Sequence, residues 1–571
     1  MPAVSVEELN EYLSSIEVDT DQGPALRLGK RSRRARLPVT DDEKAAPLHL
    51  PSRVGTIDVQ AVVSWMKPAV KARFAQVWEG VNSGPPSPSP ARISAIDPCD
   101  VDALHAIGVV RPSDLNIPTK SHCIAFTVVE ERDGKLRRRF ILYDPAANKW
   151  YANSVGTLIS LPHVSAHAKD ILSECATVRD IEGGFFQVPL EESACPAYRF
   201  IDRAGRTFEM CVAPIGMSGV PEICQTLTST IAGHPDFAVP AEQLKIGSIK
   251  IHIDDVRVAH KHSETERVAA FFSERSARCG VHWKASGATG SVSYVFLGLV
   301  WDHIKKTIGL SPKTISKLQS SARKLCDKTL TYSELESLSG RLIYATGALG
   351  YCLAFRYLTM RDIRRVLRRA QGVHDVASIN AWLSRKIQEW ITVLVSGPAK
   401  YRAPSPGGRT AWLFTDASLR GYGAILVTDL GQIWVCGKSW SHPDHVSGDI
   451  NWLESSAVSL AVRMFESTIR EEGIKCLHLV VDNSSTQRAI ERRCSRSVLV
   501  SAAIIPALKV FERLEVGITA RHLCSGDNPA DSISRGFEVD LPKLRVMVEK
   551  LSRKGGSEPD LVILTKKADA A

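Results

Sequence analysis

Two adjacent carboxylates, Asp254 and Asp255, interrupt the stretch KIGSIKIHIDDVRVAHKH (Lys245 to His262), which is otherwise largely apolar and β-branched. Ile249, Ile251 and Ile253 precede the pair and Val256 and Val258 follow it. The pattern of the stretch predicts a β-hairpin that carries the two acids. A buried carboxylate without a partner is costly. Any fold that accepts this segment must therefore bring compensating charge to the pair, and a bound metal ion is the compensation that gives two acids a use.

The chain has 571 residues, which predicts several domains. Hydrophobic content of 44% and charged content of 23% are those of an ordinary globular protein. No apolar run reaches the length of a membrane span, and MPAVSVEELNEYL lacks a signal-peptide core. The expected location is cytoplasm or nucleus, with no membrane partner and no secretion. The 13 cysteines show no CxxC pair and no zinc spacing, as expected for free thiols in a reducing compartment. A net charge of +10 is a mild indication of a polyanionic partner.

The basic run RLGKRSRRAR (Arg27 to Arg36) reads either as a solvated tail or as a nuclear address or nucleic-acid contact. SGPPSPSP (Ser83 to Pro90) and APSPGGR (Ala403 to Arg409) read as linkers. Between them, ATVRDIEGGFFQVPL places Asp180 at the end of a short strand, with Phe185 five residues on. RTFEMCVAPIGMSGVPEICQTL carries Gly216 in a loop before a helix. The Asp-Asp hairpin follows. SETERVAAFFSERSARCG reads as a helix with Ser263 and Glu266 as capping box and Gly280 as its stop, and HWKAS and YVFLGLVWD read as strands. One acid on a strand and two on a hairpin 74 residues later suit two Mg²⁺ ions in phosphoryl transfer.

In this order the motifs resemble a reverse transcriptase over residues 120 to 302. DIEGGFFQVPL is similar to its first palm motif, APIGMSGVP to the second, HIDD to the YxDD box, HWKAS to the lysine motif and FLG to the primer grip. The resemblance implies catalytic, metal-holding roles for Asp180, Asp254 and Asp255. It implies nucleotide contacts for Lys135, Arg139, Phe185, Gly216 and Lys284. Phe185 would be the steric gate that selects dNTPs, and Lys284 is either a proton donor to pyrophosphate or a solvated surface lysine. His252 stands where the family has Tyr, and Ile215 where it often has Gln. Two places before Asp254, His252 is expected to share its face, with nearby carboxylates favouring the protonated ring.

Residues 311 to 400 read as helical, with Thr331 and Glu334 as a capping box. RYLTMRDIRRVLRRAQG carries Arg356, Arg361, Arg364, Arg365, Arg368 and Arg369. This is either a solvated face or, beside a polymerase, a grip on template–primer phosphates, with Arg364, Arg365, Arg368 and Arg369 as the contacts. The last block offers Asp416 on a first strand, Glu454 on a helix, Asp482 at a strand end and Asp531 in DNPADSISRG. The series resembles the RNase H fold, which implies a second two-Mg²⁺ site (Mn²⁺ as substitute) built from these four acids. His522 is either an aid to product release or a surface histidine.

The expected fold class is α/β in the multi-domain α+β sense: right-hand fingers, palm and thumb, then an RNase H-like domain. The expected divisions are a partly disordered basic and linker region at 1–90, fingers and palm at 91–310, thumb and connection at 311–405, the RNase H-like domain at 406–540 and a tail at 541–571. The order resembles DIRS-type retrotransposons most, with Pao/BEL and gypsy-like elements next, as one part of a polyprotein. The implied activity is RNA-directed DNA polymerisation with RNase H cleavage. RNA template, DNA primer, RNA–DNA hybrid and dNTPs would be its partners. The alternative is a degenerate or domesticated element protein that only binds nucleic acid.

Overall fold

The computed structural model describes residues 46–83, 91–118, 122–132, 135–156, 158–159, 161, 164–351, 353–370, 372, 374–397, 399–400, 409–440, 449–491, 493, 495, 497–552 and 562–563. The basic run at 27–36, most of the first linker and the second linker at 403–408 lie outside these residues. The architecture is mixed α+β. Among the described residues no helix is long and apolar enough to cross a membrane.

Part of the segment expected to be linker is helical. Helices Val59–Ser64 and Pro68–Ser83 put Val62, Phe74, Val77 and Val81 into the first core, alongside helix α1 (Val220–Ile231). Strands Ile124–Arg132 and Lys135–Tyr143 pair with each other. Residues Val129–Arg137 of this pair belong to a separate compact unit, within which Arg137 Nε donates to Glu130 Oε1 at 2.6 Å.

The expected hairpin is present. Strands β1 (Cys175–Asp180), β2 (Ser248–His252) and β3 (Asp255–His260) form an antiparallel sheet in the order β1-β3-β2. On one face, Ile249, Ile251, Val256 and Val258 pack with Val268 and Phe272 of α2 (Thr265–Cys279). Gly280 ends α2 in the left-handed conformation (φ 70°) as expected, but the expected capping box is absent: Glu264 instead accepts from Lys261 N and caps the short turn His262–Glu264 that precedes α2. The expected HWKAS strand is reduced to a single bridge, Ile181 to Trp283.

The other face meets a second sheet, in which β4 (Ser293–Phe296), β5 (Leu299–Asp302) and β6 (Thr307–Leu310) run antiparallel. Between the sheets the Arg257 guanidinium is fully buried. It donates to Asp170 Oδ2 at 2.6 Å and lies 3.9 Å from the Trp301 ring centroid. Helices α3 (Pro312–Cys326), α4 (Tyr332–Ala348), α5 (Tyr357–Arg368) and α6 (Ala381–Val395) follow, and the Thr331–Glu334 capping box opens α4 as expected. Leu318, Leu342, Ile363 and Trp390 share one core with Trp301 and with Ala176 of β1, so no break in packing falls at residue 310.

The last region is a six-stranded sheet in the order β11-β10-β7-β8-β9 followed by the short edge strand Val562–Ile563: β7 (Arg409–Ala417), β8 (Gly421–Thr428) and β9 (Gln432–Ser439) are antiparallel, β10 (Ile474–Val481) and β11 (Gly517–His522) run parallel to β7, and the edge strand runs parallel to β9. Helices α7 (Ile450–Met464) and α8 (Val498–Leu514) cover one face through Val458, Val462, Ile504 and Leu508. The opposite face is covered by α9 (Leu541–Ser552), whose Leu544 and Met547 pack on Trp412 and Phe414. Residues 541–552 thus form part of this region's core, where the sequence suggested a tail.

The Arg257–Asp170 pair provides a test of the first packing. Asp170→Asn leaves a fully buried guanidinium without its counter-charge, a change that typically costs about 3–5 kcal/mol. Chemical denaturation should show a loss of that size in the transition of this region. A loss well below ~1 kcal/mol would mean that the aromatic rings alone hold the arginine.

Candidate active sites

The first group of acids is assembled by register. Asp180 ends β1 opposite Asp255, and His252 ends β2 opposite the same residue. Directly paired residues share a face, so Asp180, Asp255 and His252 point to one side of the sheet. Asp254 lies in the two-residue turn between the strands. His252 is therefore aligned with Asp255, not with Asp254 as the spacing suggested. Burial also lowers the His252 pKa from its usual value, the opposite of the expected stabilisation of the charged ring.

The turn is held from outside. Ile253 has φ 61°, a left-handed conformation uncommon for a β-branched residue and costing on the order of 1–3 kcal/mol. Its N–H donates to Gln225 Oε1 of α1, while Gln225 Nε2 donates to Ile251 O at 3.5 Å. Sequence reasoning missed Gln225, since nothing in ICQTL marks it as the brace of a turn 28 residues on. Asp254 in turn packs over Gly184, where a Cβ would come within 2.9 Å of the Asp254 Cβ.

Positive charge surrounds these acids. Lys284 Nζ pairs with Asp180 Oδ2, and Lys284 N donates to Asp180 O at 2.8 Å. Burial raises the Asp254 pKa and the Asp180 charge adds to it, while Lys284 and Arg139 pull it down. Lys284 and Arg139 are thus brought to the acids. Lys135's side chain lies outside the described residues. Phe185 sits half-exposed in the turn Gly184–Gln187, whereas Phe186 beside it is buried in the core. Gly216 has φ 120° and leaves room for the neighbouring strand: a Cβ there would lie 2.4 Å from Leu142 O. Asn148, also missed, ties that loop down, with Nδ2 donating to Gly216 O at 2.9 Å and Oδ1 accepting from Ser218 N at 2.7 Å.

On α5, Thr359 and Ile363 face the core, and Arg364, Arg365, Arg368 and Arg369 are exposed. Arg361 shares Asp362 with Arg365, at 3.7 and 3.3 Å, but Arg356 and Arg361 are less exposed than these four. Both are partly buried, and Arg356 lies 6.0 Å from the Trp390 ring centroid.

The second group is more tightly gathered. Asp416 on β7, Glu454 on α7 and Asp482 just past β10 bring carboxylate oxygens within 4.8 Å of one another, the one such set of three possible ligands among the described residues. Glu454 is raised to about 9 by burial and then by the charges of Asp482 and Asp416. Asp416 is raised too, chiefly by burial, although the Ser534 hydroxyl donates to its Oδ2. Glu454 Oε2 is buried with no hydrogen-bond partner among the described residues. Three crowded carboxylates with an orphaned buried oxygen fit a hard divalent cation, which takes oxygen ligands.

Asp531 stands at the edge of this group, its Oδ1 accepting from Arg535 Nη2 at 2.7 Å. The short helix Asp531–Ser534 reaches the sheet because β8 and β9 carry glycines beneath it. A Cβ at Gly423 would lie 2.6 Å from Ile533 Cβ, and one at Gly437 2.4 Å from Ile533 Cγ2. Asn528 adds a bond from Nδ2 to Thr415 O at 2.9 Å. Ser534, Asn528 and Arg535 were not singled out from sequence, although the run DNPADSISRG contains all three. His522 is exposed on the last position of β11, paired across the strands with Val481, the residue before Asp482.

No family model matches this chain, and no curated protein does. Among solved structures it is similar to the foamy viral protease-reverse transcriptase dRH in complex with ds DNA, at 14% identity and TM-score 0.45, over 87% of this chain and 84% of that chain. Similarity to the foamy viral protease-reverse transcriptase in complex with dsDNA is 14% with TM-score 0.44, over 86% of this chain and 99% of that one. For its complex with RNA/DNA hybrid the values are 14% and 0.46, over 86% and 64%.

The raised pKa of Glu454 has a definite sign. Its folded value lies above the ordinary 4.5, so the stability it contributes is present below about pH 4.5 and is lost as pH rises toward about 9. A divalent cation that replaces the proton should restore that stability. Adding Mg²⁺ or Mn²⁺ should therefore raise the melting temperature at pH 8.5 and much less at pH 5, with roughly that contrast abolished by Asp482→Asn. An equal rise at both pH values would place the metal elsewhere.

Proposed function

We propose that this chain is an RNA-directed DNA polymerase of a retrotransposon with RNase H activity, the two reactions residing in separate carboxylate groups. The observation that carries the reading is the register of Asp180 against Asp255, with Asp254 in the turn and Lys284 on Asp180. Asp180, Asp254 and Asp255 would hold Mg²⁺ in the first site, and Asp416, Glu454, Asp482 and Asp531 in the second. Bound there, such ions polarise phosphoryl oxygens and stabilise both the attacking and the leaving oxygen.

The chain's own groups have distinct tasks. Arg139 offers a guanidinium to a triphosphate near Asp254, and Lys284 is placed to give a proton to departing pyrophosphate. The half-exposed Phe185 ring would fill the space that a ribose 2′-OH needs. Gln225 fixes the turn that carries Asp254. The exposed arginines of α5 supply sequence-independent phosphate contacts. In the second site, Ser534 and Asn528 orient Asp416, and Arg535 holds Asp531 at the rim, where a backbone phosphate can compete for the guanidinium. DIRS-type elements remain the lineage that the motif order most resembles.

A second reading, a nucleic-acid-binding protein without polymerase chemistry, draws on the Lys284–Asp180 pair and on His252 in place of Tyr. Extension of a DNA primer on an RNA template with dNTPs and Mg²⁺ separates the two. Wild-type protein should extend. Asp254→Asn should reduce extension by at least ~100-fold, about 2.7 kcal/mol, and leave hybrid cleavage intact. Asp482→Asn should do the reverse. Loss of both activities in either variant would contradict separate sites.

Sugar selection gives an independent check. Phe185→Ala should let the enzyme incorporate rNTPs with only modest loss of dNTP use. An unchanged preference would remove Phe185 from the role of gate.

A further inference from the structure

The turn Leu353–Arg356 lies between two cores and contributes to both. Leu353 packs against the core that holds β4–β6 and α3–α6. Phe355, two residues later, packs against the core of the last region, built on β7–β11, α7 and α8. The turn meets α8, and the Lys509 ammonium on that helix lies 6.0 Å from the Phe355 ring centroid. Arg356, at the end of the turn, lies over Trp390 of α6. The next residue begins α5, with the four exposed arginines.

The chain also joins the two regions covalently through residues 401–408, after strand residues Ala399 and Lys400 pair with Ile308 and Thr307 of β6. A covalent connection by itself limits only the distance between two regions. An aromatic side chain packed against the neighbouring core constrains orientation as well.

We propose that Phe355 is a positioning residue that locks the arginine helix to the last region, so that a hybrid gripped by α5 meets the second acidic group at a fixed number of nucleotides from the primer end. The proposal rests on the reading of two activities given above. A nucleic-acid duplex is stiff on this scale, so two rigidly related contact points select one register along it. Successive phosphates of one strand are about 3.4 Å apart along the helix axis, so a few ångströms of play shift the cut by a nucleotide or more.

The experiment is a cleavage ladder. End-labelled RNA annealed to a recessed DNA primer is cut by full-length protein, and the positions are mapped from the primer 3′ end. Wild type should give a narrow cluster. Phe355→Ala should spread or displace it by roughly two or more nucleotides while total cleavage and primer extension persist. Phe355→Leu, which still fills the contact, should restore the narrow pattern. Hydrogen exchange followed by mass spectrometry on the same proteins, without substrate, gives an activity-free reading. Phe355→Ala should speed exchange in the turn and along the facing side of α8, with the β7–β10 amides as protected as in wild type.

A wild-type-like ladder together with wild-type-like exchange in Phe355→Ala would overturn the proposal, as would a broad ladder from wild type itself. Wild-type protein that neither extends nor cleaves would instead overturn the functional reading. The exchange difference at α8 would then decide the coupling alone.

Discussion

The gathering of carboxylates where water is scarce is the constraint on which the rest of this molecule depends. Two like charges about 4 Å apart near a protein surface repel by on the order of 4 kcal/mol, before any cost of burial. The two acidic groups meet that repulsion differently. Around Asp180 and Asp254 the chain supplies cations of its own, Lys284 and Arg139. Around Asp416 and Glu454 it supplies a hydroxyl and an amide, Ser534 and Asn528, and leaves the excess charge to protons. The second group is therefore the one whose charge state a cation from solution changes most.

Much of this was legible in the sequence, because the signals were local. The β-branched run around the two acids marked the β2–β3 hairpin, although not where its turn falls. The strand, hairpin, helix, strand order of the last region followed from its periodicity and its punctuating glycines. The acids were found because a carboxylate beside apolar residues is conspicuous. The errors arose where two elements meet. The i, i+2 rule put His252 with Asp254, but the strand ends at His252, and cross-strand register pairs it with Asp255. The charge of its neighbours suggested a protonated ring, but the shift is set by burial and runs the other way. Arg356 and Arg361 look like Arg364 and Arg365 in the sequence, and only their partial burial in the structure separates them.

The residues that sequence reasoning missed share a property: each acts on a backbone or carboxylate far away in the chain. Gln225 reaches Ile253, Asn148 reaches Gly216 and Ser534 reaches Asp416 across 118 positions. None is remarkable by type or by spacing. What the sequence did carry was the room made for them. Gly184, Gly216, Gly423 and Gly437 each stand where a methyl group would collide with the partner element. A glycine inside an otherwise regular strand or motif was therefore the available clue to a close approach, and its partner could be named only in three dimensions.

The arginine helix shows how one amphipathic segment divides its charges between structure and surface. Arg356 is withdrawn over Trp390, where desolvation lowers its pKa and its contribution is to packing. Arg361 is drawn to Asp362. Arg364, Arg365, Arg368 and Arg369 are exposed, Arg365 while also pairing with Asp362, and at physiological salt the field of a surface charge is screened within about 8 Å. They can act on a polyanion only by near contact, so the position of α5 matters as much as its charge. That position is set by Ile363 on one side and, through the preceding turn, by Leu353 and Phe355, which belong to different cores. A solvated arginine face on a freely swinging helix would bind phosphate anywhere along a duplex. The turn that precedes α5 is instead held by both cores, which limits how far that face can swing.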